Sequence, residues 1–154
     1  MADSDEIFLA VGGLEEVLGR VVEALGLQGG WEMDGGDGER GYVGQARTVE
    51  APMGVFIGPS LFPPEPGELQ AMDAHPVMVD IQFRTHKPIQ AEEARVAFEA
   101  IVAALPDVPA LLLHNVEWLV ASYLPDRPIQ YFEPRLTPDA EDVDTWGGCV
   151  VRGG

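Results

Sequence analysis

The sequence predicts an α+β fold: a mainly antiparallel sheet with two amphipathic helices packed on one face, in a split β-α-β-like arrangement. Two observations carry this. A strand-like apolar run followed by a helical stripe occurs twice, at residues 6–27 and 77–105, and the remaining strand-like runs follow one another at hairpin-length spacing. At 154 residues and 46% hydrophobic, the chain has the size and apolar content of one globular domain spanning 1–154.

Residues 6–11 form a short apolar run ended by Gly12-Gly13 and read as a buried strand. From Leu14 the apolar positions Leu14, Val17, Leu18, Val21, Val22 and Leu25 trace one face of a helix. Glu15, Glu16, Arg20 and Glu23 take the wet face, Glu16 and Arg20 are spaced as an i,i+4 pair, and Gly26 or Gly29-Gly30 stops the helix. Residues 29–41 are glycine-rich and read as a loop, with strand contact expected only at Trp31 to Met33. Strand character returns at 42–49 and 53–57. The closely spaced prolines of 59–67 exclude a central strand or a helix interior, which leaves an ordered or a flexible surface loop.

Residues 77–84 alternate strictly, with Val77, Val79, Ile81 and Phe83 on one face and Met78, Asp80, Gln82 and Arg84 on the other. A second helix runs from about Gln90 to Leu105, before Pro106. Ala94, Phe98, Ile101 and Leu105 supply its buried stripe, and Glu92, Glu93, Arg95 and Glu99 are expected in water. Residues 110–113 read as a strand. Residues 116–124 fit a strand or a helix, since Val116, Leu119, Val120 and Tyr123 also have helical spacing, and strand is preferred. Short strands are expected at 129–132 and 148–151, separated by the acidic stretch 137–144.

The charge is unusual: 26 acids against 9 bases give −17. That balance argues against a nucleic-acid binder, which needs Lys and Arg facing phosphate, and against adhesion to an anionic membrane. The acidic N-terminus lacks a secretory pattern and no run is long enough to span a bilayer, so a cytoplasmic location is expected. One cysteine, Cys149, excludes an internal disulfide and reads as a small buried hydrophobe rather than a reactive thiol.

Motifs for chemistry are weak. Asp34, Asp37 and Glu39 stand among glycines but miss the spacing of a calcium loop, and a solvated hairpin tip is the plainer reading. His75, His86 and His114 lack zinc-motif spacing. Gly12-Gly13 lacks a phosphate-loop pattern, and Glu15 and Glu16 would repel an anion there. Ser4, Ser60 and Ser122 have no nucleophile-elbow context. No catalytic residue, metal or cofactor is therefore assigned, and the chain is expected not to be an enzyme.

What remains is the surface: acids in two loops next to loop aromatics. An acidic rim around aromatic anchors suits an interface with a basic partner, and the plainer alternative is that the acids confer solubility and the tryptophans are core. A short acidic α+β domain with no catalytic motif resembles the small immunity proteins that accompany bacterial polymorphic toxins. That resemblance implies a protein-binding inhibitor that neutralises a cognate toxin domain. The residues expected at the interface are Trp31, Asp34, Asp37 and Glu39, and Asp139, Glu141, Asp142, Asp144 and Trp146, the acids steering and the tryptophans anchoring. Two alternatives stay open: a nucleic-acid mimic of the anti-restriction or anti-CRISPR type, with carboxylates at phosphate-like spacing, and a small ligand-binding domain or enzyme with a pocket around His114, Tyr123 and Arg84.

Overall fold

The first predicted strand, β1 (Asp5–Leu9), lies inside the sheet between two cores, which is why Ile7 and Leu9 on one face and Phe8 on the other are apolar. The computed structural model describes residues 4–32, 38–83 and 87–151. In it β2 (Gln28–Glu32), β3 (Arg40–Gln45), β4 (Pro52–Pro59), β5 (Val77–Phe83), β6 (Ala110–His114), β7 (Trp118–Tyr123) and β8 (Gln130–Tyr131) join β1 in one antiparallel sheet. The strand order is β2-β3-β4-β5-β1-β6-β7-β8. The helices are α1 (Leu18–Leu25), α2 (Lys87–Ala104) and the single turn α3 (Val143–Trp146). None is long and apolar enough to cross a membrane among the described residues.

The predicted split β-α-β unit is present. β5 and β6 each pair antiparallel with β1, so they are parallel to each other, and α2 connects them across the intervening strand. In the same way α1 connects β1 to β2 at the far edge, four antiparallel steps away and hence parallel to β1. The two crossovers start from strands of opposite sense and travel in opposite directions. Given the same hand, they must cover the same face, and both helices do: Val21, Leu25, Phe98 and Ile101 form one core with Ile7, Leu9, Val55, Ile57, Val79 and Ile81.

Helix ends follow local chemistry. Gly26 takes the left-handed conformation (φ 62°), and the Leu27 N–H reaches the Val22 carbonyl at 2.9 Å, closing α1 as the sequence predicts. Leu14–Glu16 is a 3-10 turn rather than the first turn of α1, and Arg20 donates to the Glu16 backbone carbonyl instead of its carboxylate. Pro88 sits in the first turn of α2, where its missing N–H is harmless.

The opposite face carries a second core. Phe8, Met78, Leu111, Leu113 and Leu119 are covered by Phe62, Leu69 and Met72 of the β4–β5 connection and by Leu136, Val143, Trp146 and Val150 near the C-terminus. The proline-rich connection is therefore ordered by packing. Phe62 meets Phe8 edge to face, with ring centroids 6.3 Å apart, and the Ala71 N–H bonds the Pro138 carbonyl at 2.8 Å.

Four expectations are corrected. Residues 29–41 are not one loop: Gly29 and Gly30 (φ 105° and 109°) form a bulge inside β2, and Arg40 and Gly41 already belong to β3. The strand expected over 42–49 ends at Gln45, because residues 46–51 turn, with the Ala46 N–H bonding the Ala51 carbonyl at 2.8 Å. Glu93 is buried, not solvated, accepting hydrogen bonds from the Arg47 N–H (2.8 Å) and from the N–H and hydroxyl of Thr48 in that turn. Residues 148–151 form no strand, since the Cys149 N–H turns back to the Trp146 carbonyl at 2.9 Å and Val150 is buried in the second core.

Candidate functional site

Among the described residues the second core does not extend over β2, β3 and β4, whose face away from the helices is left open. Strand register defines it. Trp31 is opposite Gly41, Gly41 opposite Phe56, Phe56 opposite Asp80, and Asp80 opposite Glu6. Because Val55 and Ile57 point to the helices, this row points away from them. The Trp31 ring lies over Gly41, where a β-carbon would come within 2.6 Å of it, so glycine provides the shelf on which the indole rests. The ring remains 47% exposed and Val43, on the same face, 51%. These are two of the three large apolar side chains that are exposed among the described residues; the third, Leu61, is in the β4–β5 connection.

Acid borders this apolar strip. Burial pushes the Glu6 carboxyl up to about 7, although the Ser4 hydroxyl and the Val116 N–H, 2.7 Å from Oε1, bond to it, and the charges of Asp80 and Asp5 add to the rise. Burial also raises Asp80, against a hydrogen bond from Gln82, and the nearby Glu39 charge raises it further. Glu39 itself packs beside Gly58, where a β-carbon would stand 2.9 Å from its Cα. Glu6 is closed off by burial, so the carboxylates that border the strip formed by Trp31, Val43 and Phe56 are those of Asp80 and Glu39.

β2 ends the sheet on this side, but its glycine bulge breaks the row of edge hydrogen-bonding groups. This edge is consequently poorly suited to pairing with an added strand.

The structure places the sequence-predicted residues in two separate regions. Trp31 and Glu39 belong to the open face, and Asp34 and Asp37 lie outside the described residues. Trp146 is 1% exposed, with its Nε1–H donating to the Asp139 carbonyl at 3.0 Å, so it anchors the second core and not a partner. Asp142 accepts the Thr137 N–H (2.9 Å) and hydroxyl (2.8 Å), which hold its carboxyl below the usual range, and Asp139 accepts the Gln70 amide at 3.0 Å. Of this group Asp139, Glu141 and Asp144 are exposed. Val43, Phe56, Asp80 and Glu6 were missed. The alternation of 77–84 already sets Asp80 opposite the helix face, but nothing in the sequence shows that this half of the face is left uncovered.

The histidines do not converge. His114 pairs with Asp5 at one end of β1, whereas His75 precedes Val77, the partner of Leu9 at the other end, about 13 Å away at strand rise. His86 lies outside the described residues, as does Arg84. Tyr123 is directed away from His114, its hydroxyl bonding the Pro106 carbonyl at 2.5 Å. Among the described residues no group of three His, Cys, Asp or Glu side chains is placed to hold a metal ion. Comparison with protein-family models, curated proteins and solved structures finds no match.

Proposed function

We propose that the chain is a non-enzymatic protein-binding inhibitor, of the kind represented by immunity proteins, and that it neutralises a basic toxin domain in the cytoplasm. The observation that carries this reading is the acid-bordered open face, with a half-exposed tryptophan on a glycine shelf. Tryptophan is enriched at interface hot spots, and a rigid indole loses little entropy on being covered. Carboxylates beside it favour a cationic partner and speed its approach. The net charge of −17 is consistent with such a partner and opposed to nucleic acid.

Identifying the genes that neighbour its own and co-expressing the chain with any basic toxin domain encoded there tests the proposal. The wild-type chain is expected to restore growth and Trp31→Ala to lose protection, with binding weakened by at least about 2 kcal/mol, the hot-spot scale. Failure of the wild-type chain to protect, or full protection by the folded Trp31→Ala variant, overturns the reading.

A further inference from the structure

On the helix face, between α2 and the β6–β7 hairpin, lies a cavity of about 360 Å³. Its wall is largely apolar, formed by Ala91 and Ala94 of α2, Leu112, Val120 and Phe132, with Trp118 alongside. Two of the chain's nine basic residues, Arg95 and Arg135, also line it. Asp5 and Glu133 line it too, so its wall is balanced in charge where the chain as a whole is strongly acidic. Among the described residues neither arginine forms a salt bridge. Arg95 is oriented instead by stacking, with its guanidinium carbon 4.5 Å from the Tyr131 ring centroid, and the Tyr131 hydroxyl is fixed by Glu99 Oε1 at 2.9 Å. Asp5 is buried and hydrogen-bonded to His114 Nδ1 at 2.9 Å, and Glu133, like both arginines, is exposed.

We propose that this cavity binds a small monocarboxylate with an aromatic or branched apolar body. The carboxylate would meet Arg95 and Arg135, whose planar forks suit it, and the apolar body would fill the space under Trp118 and Phe132. Two other cavities are less suited. A groove of about 540 Å³ beside Gly44 and Gly54 has Arg47 as its one basic side chain, and that head group is already bonded to the Ala24 carbonyl. The third, about 210 Å³ near Ser122 and Cys149, has Arg127 donating to the Gly148 carbonyl at 3.3 Å.

The site is independent of the open face, so either assignment can fail alone. The test is titration of the full chain with indole-3-acetate, phenylacetate, indole-3-acetamide and tryptamine, followed by the Trp118 indole N–H resonance. Either carboxylate is expected to saturate with a Kd on the order of 0.1–1 mM. The amide should bind about tenfold more weakly and the amine more weakly still. Arg135→Gln, on an exposed loop, should weaken the carboxylates about tenfold and leave the amide unchanged. Ala91→Phe should abolish binding by filling the cavity. No saturation by either carboxylate up to about 5 mM, equal affinity for acid and amide, preference for the amine, or an unchanged affinity in folded Arg135→Gln each overturns the proposal.

Discussion

Glu6 and His75 are titratable side chains withdrawn from water in opposite senses. The Glu6 carboxyl rises from 4.5 to about 7, so the folded chain holds a proton that the unfolded chain has released; stability from this group is full below about 4.5 and is lost as pH rises through 7. His75 is 1% exposed, neither ring nitrogen has a hydrogen-bond partner among the described residues, and burial lowers it from 6.5 to about 4. The unfolded chain binds that proton first, so its contribution is lost as pH falls from 6.5 through 4. Between about 4.5 and 6.5 the two slopes oppose, with Asp80 acting in the same direction as Glu6. The wild-type stability is therefore expected to be nearly flat there. Glu6→Gln should become more stable as pH rises across this window and His75→Leu less stable, by up to about 1.4 kcal/mol per pH unit. Urea unfolding at three pH values measures this, and variants that run parallel to the wild type contradict it. Neither burial was legible in the sequence. His75 sits between Ala74 and Pro76 in what reads as loop, and Glu6 gains its cover from the β6–β7 turn, more than a hundred residues away.

At the scale of elements, the sequence was most legible where one periodicity ran unbroken. β5 and α2 show it, since each faces one well-defined core. β7 was ambiguous for a physical reason: its register with β6 shifts between Leu112 and Leu113, a bulge that sends Leu119 to one core while Ala121 and Tyr123 face the other and imitates helical spacing. Its turn is also strained, because Val116 is β-branched at φ 55°, at a cost of about 1–3 kcal/mol, and the Glu6 carboxyl secures its N–H. Glycines in β2 and β3 hid a second pairing by suggesting a loop. Glu93 shows how a long-range cap escapes a periodicity argument, since it sits on the polar side of the pattern yet closes the β3–β4 turn. Burial raises its carboxyl, but bonds from the Thr48 hydroxyl and the backbone of Arg47, Thr48 and Val49 prevail and lower it. Glu93→Ala should destabilise the chain by about 1–3 kcal/mol, with Glu93→Gln intermediate, and should speed amide exchange at Arg47 and Thr48. Unchanged protection at those two amides would refute the capping role.

At the scale of the whole molecule, a net charge of −17 says what can approach, while the fold decides where. The sequence reading joined the residues near Trp31 and those near Trp146 into one interface. The fold separates them: Trp146 packs beneath β5, β1 and β6, about four strand spacings or ~19 Å from β2. That is more than two Debye lengths at physiological ionic strength, where the screening length is about 8 Å. Glu39→Lys and Glu141→Lys alter the net charge equally, so comparing them isolates position from total charge. With a basic partner seated on the open face, Glu39→Lys should slow association about tenfold at low salt and flatten its salt dependence, since it reverses a charge at the contact. Glu141→Lys should slow association less than Glu39→Lys at 0.15 M salt, because the C-terminal segment packs over β5, β1 and β6, whereas Trp31 and Glu39 lie at β2 to β4. Stopped-flow association at several ionic strengths distinguishes the two. Equal slowing by both would mean that steering belongs to the global field and would remove the open face from its assigned role. A larger effect of Glu141→Lys would move the interface to the C-terminal segment.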